Sequence, residues 1–131
     1  MIAALDTNCL LRWLIDEDSE HAMKVDAVLR NPENNIHVAD LAIAEAAWVL
    51  QSFYGLTRVE IAEFITRLIA NPHIYCNRAL FNDVLPVYLE HKSVSFTDVC
   101  LATYVSLSDA KKLLTFDKKL ARSLPLLAEE L

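Results

Sequence analysis

Residues 1–14 read MIAALDTNCLLRWL. An apolar run over 2–5 meets Asp6, and after Thr7 and Asn8 the chain turns apolar again at Leu10 and Leu11. A buried strand that stops on an acid and passes at once into a helical pattern opens a β-α unit. Working outward, the same order recurs. Short apolar runs at 36–39, 73–76 and 112–116 read as further strands, with helical patterns between them. Ser19 caps a helix over 20–30, and Asp40 caps one over 41–54 that Gly55 ends, since glycine tolerates the left-handed conformation after a last turn. Thr57-x-x-Glu60 is a capping box for a helix to Ala70, stopped by Asn71-Pro72. Residues 78–91 read as a helix with Pro86 marking a kink or late start, Ser95 or Phe96 opens another to Leu107, and 118–123 form a short one. Strands alternating with helices predict an α/β fold: a three-layer sandwich whose central sheet of four or five strands is mainly parallel and covered by helices on both faces.

The 131 residues fit one domain with a proper core, so 1–131 is expected to be a single unit. No apolar run approaches the roughly 20 residues of a membrane span, and the start lacks a basic region, so a soluble, cytoplasmic protein without a signal peptide is expected. Cys9, Cys76 and Cys100 form neither a disulfide framework nor a CxxC pattern, and read as buried free thiols. His21, His37, His73 and His91 lack metal-ligand spacing and read as surface or strand-edge residues. With Gly55 the only glycine, Gly-rich phosphate loops are excluded. The net charge of −6 argues against a bulk nucleic-acid binder. Yet residues 111–122, KKLLTFDKKLAR, carry five basic residues and one acid, a basic edge or a solvated face. Large residues on early helices, Trp13, Leu14, Trp48, Phe53 and Tyr54, read mostly as core; Trp13 and Leu14, just before Asp16-Glu17-Asp18, are candidates for the edge of an apolar partner groove.

In open parallel sheets ligands lie outside the carboxyl ends of the strands. Asp6 and Asp117 each follow a predicted strand there, although an acid at that place also serves as a helix cap. Glu45 interrupts the apolar stretch AIAEAAW at a position beside Leu41 and Trp48, which favours an inward or edge placement, and Asp98 sits near a helix start in SFTDVCLATYV. Converging carboxylates repel one another, and a hard divalent cation resolves the repulsion. No His or Cys accompanies them, which argues against zinc and for Mg2+ acting on a phosphate.

The sequence ALDTNCLLRWL, AIAEAAWVL, SFTDVCLATY and LLTFDKKLAR resembles, in that order and over nearly the whole chain, the PIN domain, a metal-dependent nuclease fold. The wording of the first and last motifs is most similar to the VapC ribonuclease toxins of toxin–antitoxin pairs. The resemblance implies a ribonuclease that leaves 3′-hydroxyl and 5′-phosphate ends. It makes Asp6, Glu45, Asp98 and Asp117 the catalytic, metal-binding acids, for Mg2+ or Mn2+. Asn8 and Thr115 would orient those acids or a metal-bound water, and Arg12, Lys118, Lys119 and Arg122 would hold RNA phosphates. It further implies a homodimer and a cognate antitoxin protein covering the acidic groove. The alternatives are a PIN-like module that binds RNA or protein without cutting, and an RNA-processing nuclease that is not a toxin. A phospho-acceptor signalling domain fits poorly, because only one Asp follows the first strand and the middle strand ends in Cys76-Asn77.

Overall fold

The computed structural model describes residues 1–131, which form two compact units, residues 1–77 and residues 78–131. The first unit runs β1 (Ile2–Ala4), α1 (Thr7–Ile15), α2 (Glu20–Arg30), β2 (Asn35–His37), α3 (Asp40–Ser52), α4 (Arg58–Ala70) and β3 (Ile74–Tyr75). The second runs α5 (Arg78–Glu90), α6 (Phe96–Ser106), β4 (Leu113–Thr115), α7 (Lys118–Ser123) and β5 (Ala128–Glu130). All strand pairing is parallel, as the alternation of strands and helices predicts. The five strands form two ladders, β1-β2-β3 in the first unit and β4-β5 in the second. No helix is long and apolar enough to cross a membrane.

In the first unit each parallel step uses a pair of helices as its crossover. The inward positions of the strands, Ile36, Val38 and Ile74, are buried with Leu10, Leu14, Ile43, Leu50, Ile61 and Leu68 from the helices. Each fully buried apolar side chain of this size contributes about 1.5–3 kcal/mol. The opposite strand positions, Ile2, Ala4, Asn35, His37 and Tyr75, are exposed. This sheet therefore alternates buried and exposed residues along each strand, where the sequence predicts a parallel sheet covered on both faces.

Local capping chemistry sets most helix boundaries. Ser19 accepts from the Ala22 N–H, Ser95 from the Asp98 N–H, and the Thr57–Glu60 box closes in both directions. Gly55 has φ of 63° in the turn between α3 and α4. Asp40 departs from its predicted capping role: Ala39 occupies the cap position with no side-chain bond, and Asp40 begins the helix and accepts from the Asn77 amide at 3.3 Å. α5 continues through Pro86 as one helix.

In the second unit the core gathers around three rings. Phe96 stacks with Phe81 at 6.2 Å and meets Tyr88 edge-on at 5.1 Å. Between β4 and β5, residues 116–127 make the parallel crossover, and Leu113 and Leu131 add backbone bonds to Leu127 and Thr115. β5 lies where no strand is predicted.

Two expectations about burial are corrected. Trp48, Phe53 and Tyr54 are 55%, 74% and 54% exposed: α3 buries its alanine-rich face, Ala42, Ile43, Ala46, Ala47 and Leu50, and turns Trp48 outward, while Phe53 and Tyr54 lie in the turn after the helix. The cysteines are not buried either: Cys9 is exposed and Cys76 and Cys100 are half-buried, since each adjoins a strand end or helix edge rather than the core.

Candidate active site

Asp6 stands two residues beyond the end of β1. Its Oδ1 accepts the Cys9 N–H at 2.8 Å, which makes it the N-cap of α1. The Leu5 N–H is tied to the His37 carbonyl at 3.0 Å, so the strand delivers Asp6 at the carboxyl edge of the sheet. The bond from the Cys9 backbone, then that from the Cys9 thiol, hold the Asp6 carboxyl below its ordinary pKa. Cys9 is pushed the other way, first by desolvation and then by the neighbouring carboxylate. Asp6 is thus an exposed, firmly ionised oxygen donor.

Glu45 reaches the same corner from α3, which packs on α1. The Thr7 hydroxyl donates to Glu45 Oε2 at 3.2 Å. Glu45 is exposed, with exposed Leu41 and Trp48 on its flank. The inward placement is therefore corrected: small buried residues form the inner face of α3, and the three bulkier positions share its outer face. Sequence reading named Asn8 beside Asp6 and did not single out Thr7, whose hydroxyl makes the bond to Glu45. Asn8 is exposed on the first turn of α1, and its side chain makes no hydrogen bond. The available signal was a hydroxyl directly after the strand-ending acid, at the first position of the helix.

Within the second unit Asp117 repeats the geometry of Asp6. It follows the end of β4 by two residues and caps α7, with Oδ1 accepting from the Lys119 and Leu120 N–H groups at 3.0 and 3.1 Å. Thr115 acts on the backbone of this turn: its Oγ1 accepts the Asp117 N–H at 2.9 Å. Asp98 lies in the first turn of α6, half-exposed, where the helix dipole favours a negative charge. Lys118, Lys119 and Arg122 are exposed on α7. In the first unit Arg12 is engaged by Asp16 at 3.5 Å along α1.

The structure joins Thr7, the residue after Asp6, to Glu45 in one unit, and Thr115 to Asp117 in the other. Within neither unit do three His, Cys, Asp or Glu side chains stand close enough together to hold a metal ion. The chemistry of the acids is that of hard oxygen ligands: Asp6 and Asp117 are exposed carboxylates just past strand ends, Asp98 is half-exposed in the first turn of α6, Glu45 is exposed along α3, and hydrogen bonds favour the ionised form of Asp6.

The family model for the PIN domain matches residues 3–123. The chain belongs to the PIN domain family. The match spans both compact units and includes Asp6, Glu45, Asp98 and Asp117. PIN domains are generally nucleases. No protein of curated function matches the chain significantly. Solved structures similar to this PIN chain include VapBC2 from Rickettsia felis bound to a DNA fragment from its promoter, at 15% identity, covering 100% of this chain and 99% of that chain, with a TM-score of 0.43.

Proposed function

We propose that this PIN chain is a Mg2+-dependent endoribonuclease with residues 1–131 as a single nuclease domain, the toxin of a toxin–antitoxin pair, acting in the cytoplasm. The observation that carries the reading is the family match, which contains all four motif acids. Support comes from the parallel placement of Asp6 and Asp117, each two residues past a strand and fixed by backbone N–H groups. Mn2+ substitutes for Mg2+ in the same oxygen-donor set.

In this reading Asp6 and Glu45 of the first unit and Asp98 and Asp117 of the second are the acids that would serve as ligands to a divalent cation, which when bound would supply Lewis-acid polarisation of a phosphate and a more acidic water. Thr7 orients the Glu45 carboxylate by donating its hydroxyl to Oε2. Thr115 orders the turn that presents Asp117. Lys118, Lys119 and Arg122 supply positive charge for RNA phosphates; Arg12 joins them once released from Asp16.

The antitoxin reading has its own support in the first unit. Trp13 and Leu14 line a groove of about 690 Å3 with Met23 and Leu68, bordered by Arg30 and Arg67. Such an apolar floor with a polar rim suits an amphipathic segment of a partner. The exposed Phe53 and Tyr54, just beyond α3, support a homodimer. The test is cleavage of total RNA by the purified chain with Mg2+, with EDTA, and by Asp98→Asn. Metal-dependent cleavage lost in the variant supports the nuclease. A folded chain that retains RNA without consuming it supports the non-cleaving module, and cleavage of one precursor with no growth arrest supports a processing enzyme.

A further inference from the structure

One row of the first sheet has a shape that the four acids do not explain. Ala4, His37 and Tyr75 are in register across β1, β2 and β3, so their side chains stand side by side on one face. His37 and Tyr75 are stacked, with centroids 5.2 Å apart and planes 23° from parallel. Both rings are exposed. The row then stops, because the third place holds only the methyl group of Ala4. Side chains stand roughly perpendicular to a sheet, and neighbouring strands are about 4.8 Å apart. The free face of His37 therefore looks onto a slot one strand wide. Ala4, His37, Tyr75 and Asn77 line a cavity of about 430 Å3 at this carboxyl edge. Asp6 follows Ala4 by two residues.

We propose that this slot takes an unpaired nucleobase of the RNA substrate, stacked on His37 above Ala4, with Tyr75 supporting the imidazole from behind. The proposal rests on the nuclease reading for its substrate, and adds the subsite that seats a base beside the reacting phosphate. The chemistry of the row selects this occupant. It offers two stacked flat rings and a ring-sized gap over a methyl group, which suits a π-face. Recognition of RNA by protein works mainly on splayed, single-stranded bases stacked on aromatic rings. The backbone holds the rings in place: the His37 carbonyl accepts from Leu5, and the Tyr75 carbonyl accepts from Val38 at 2.9 Å.

The test uses the full chain in EDTA, so that RNA stays intact, with single-stranded octaadenylate and octauridylate as probes. NMR of the His37 ring protons and fluorescence anisotropy give the readouts. The expected result is an upfield ring-current shift of His37 on adding RNA, and binding weakened roughly 5- to 100-fold by Tyr75→Ala and by the slot-filling Ala4→Leu, with Tyr75→Phe retaining it. Ala4 and Tyr75 are exposed, so these variants leave the core intact. Unchanged affinity in both variants with no His37 shift overturns the proposal. So does loss of self-association in the same variants by sedimentation, which assigns the row to a contact between copies. The two readings fail separately: a chain that binds RNA through this row without ever cutting it loses only the nuclease, and a chain that cuts RNA with no His37 shift loses only the slot.

Discussion

Thr7 is the smallest group on which the proposed chemistry depends. Its hydroxyl is the hydrogen bond that fixes Glu45. Replacing groups that orient metal ligands typically costs 10–100-fold, so Thr7→Val is expected to lower cleavage by roughly that factor while Thr7→Ser retains it. Steady-state RNA cleavage measures both. Cys9 gives a second residue-scale prediction. Its thiol is exposed but has a raised pKa, so it holds less thiolate than a free cysteine at pH 8. It should alkylate more slowly than a free cysteine, and faster in Asp6→Asn, where the neighbouring charge is lost. Mass-spectrometric alkylation rates read this directly. The four acids stand out in the sequence because charge in an apolar run is costly. The Thr7–Glu45 bond leaves no such mark, since it joins residues 38 positions apart.

At the scale of elements, capping is the physics that sequence exposes best, because both partners lie within one turn. Thr57 and Glu60 bond each other's backbone N–H groups, and Glu60 is held below its ordinary pKa by the Thr57 backbone and then its side chain. Thr57→Ala should cost about 1 kcal/mol in urea unfolding. Because the folded pKa of Glu60 is lowered, its contribution is present above the unfolded carboxylate pKa. It is lost as pH falls through the lower folded value, so the gap between wild type and Glu60→Gln should narrow in acid. A Cβ at Gly55 would meet no atom within 4 Å, so Gly55→Ala carries only the conformational cost of its φ of 63°, about 1–2 kcal/mol. β5 escaped sequence reading for the converse reason. Ala128-Glu129-Glu130 has poor strand propensity, and it pairs with β4 across a crossover rather than through a local turn. The outward face of α3 escaped because Leu41 and Trp48 look like core until the alanines take that place.

For the whole molecule, the alternation of strands and helices was legible, and so was the family. The division into two compact units and two ladders was not, because strand pairing between distant segments leaves no local mark. Stability is expected to hinge on the ring cluster of the second unit. Phe96→Ala removes both ring contacts and should cost about 3–5 kcal/mol by denaturant unfolding. Thr103, 3% exposed, buries a hydroxyl without a partner, so Thr103→Val should be neutral or stabilising by about 1 kcal/mol. The central claim is that the motif acids serve one metal-dependent cleavage of RNA. Its most direct test is digestion of total RNA by the purified chain, free of any antitoxin, in Mg2+ and in EDTA, beside folded Asp98→Asn. Discrete cuts with 5′-phosphate ends are expected in Mg2+ alone, and none in the variant. Cleavage that persists in EDTA, or in Asp98→Asn, would contradict the claim.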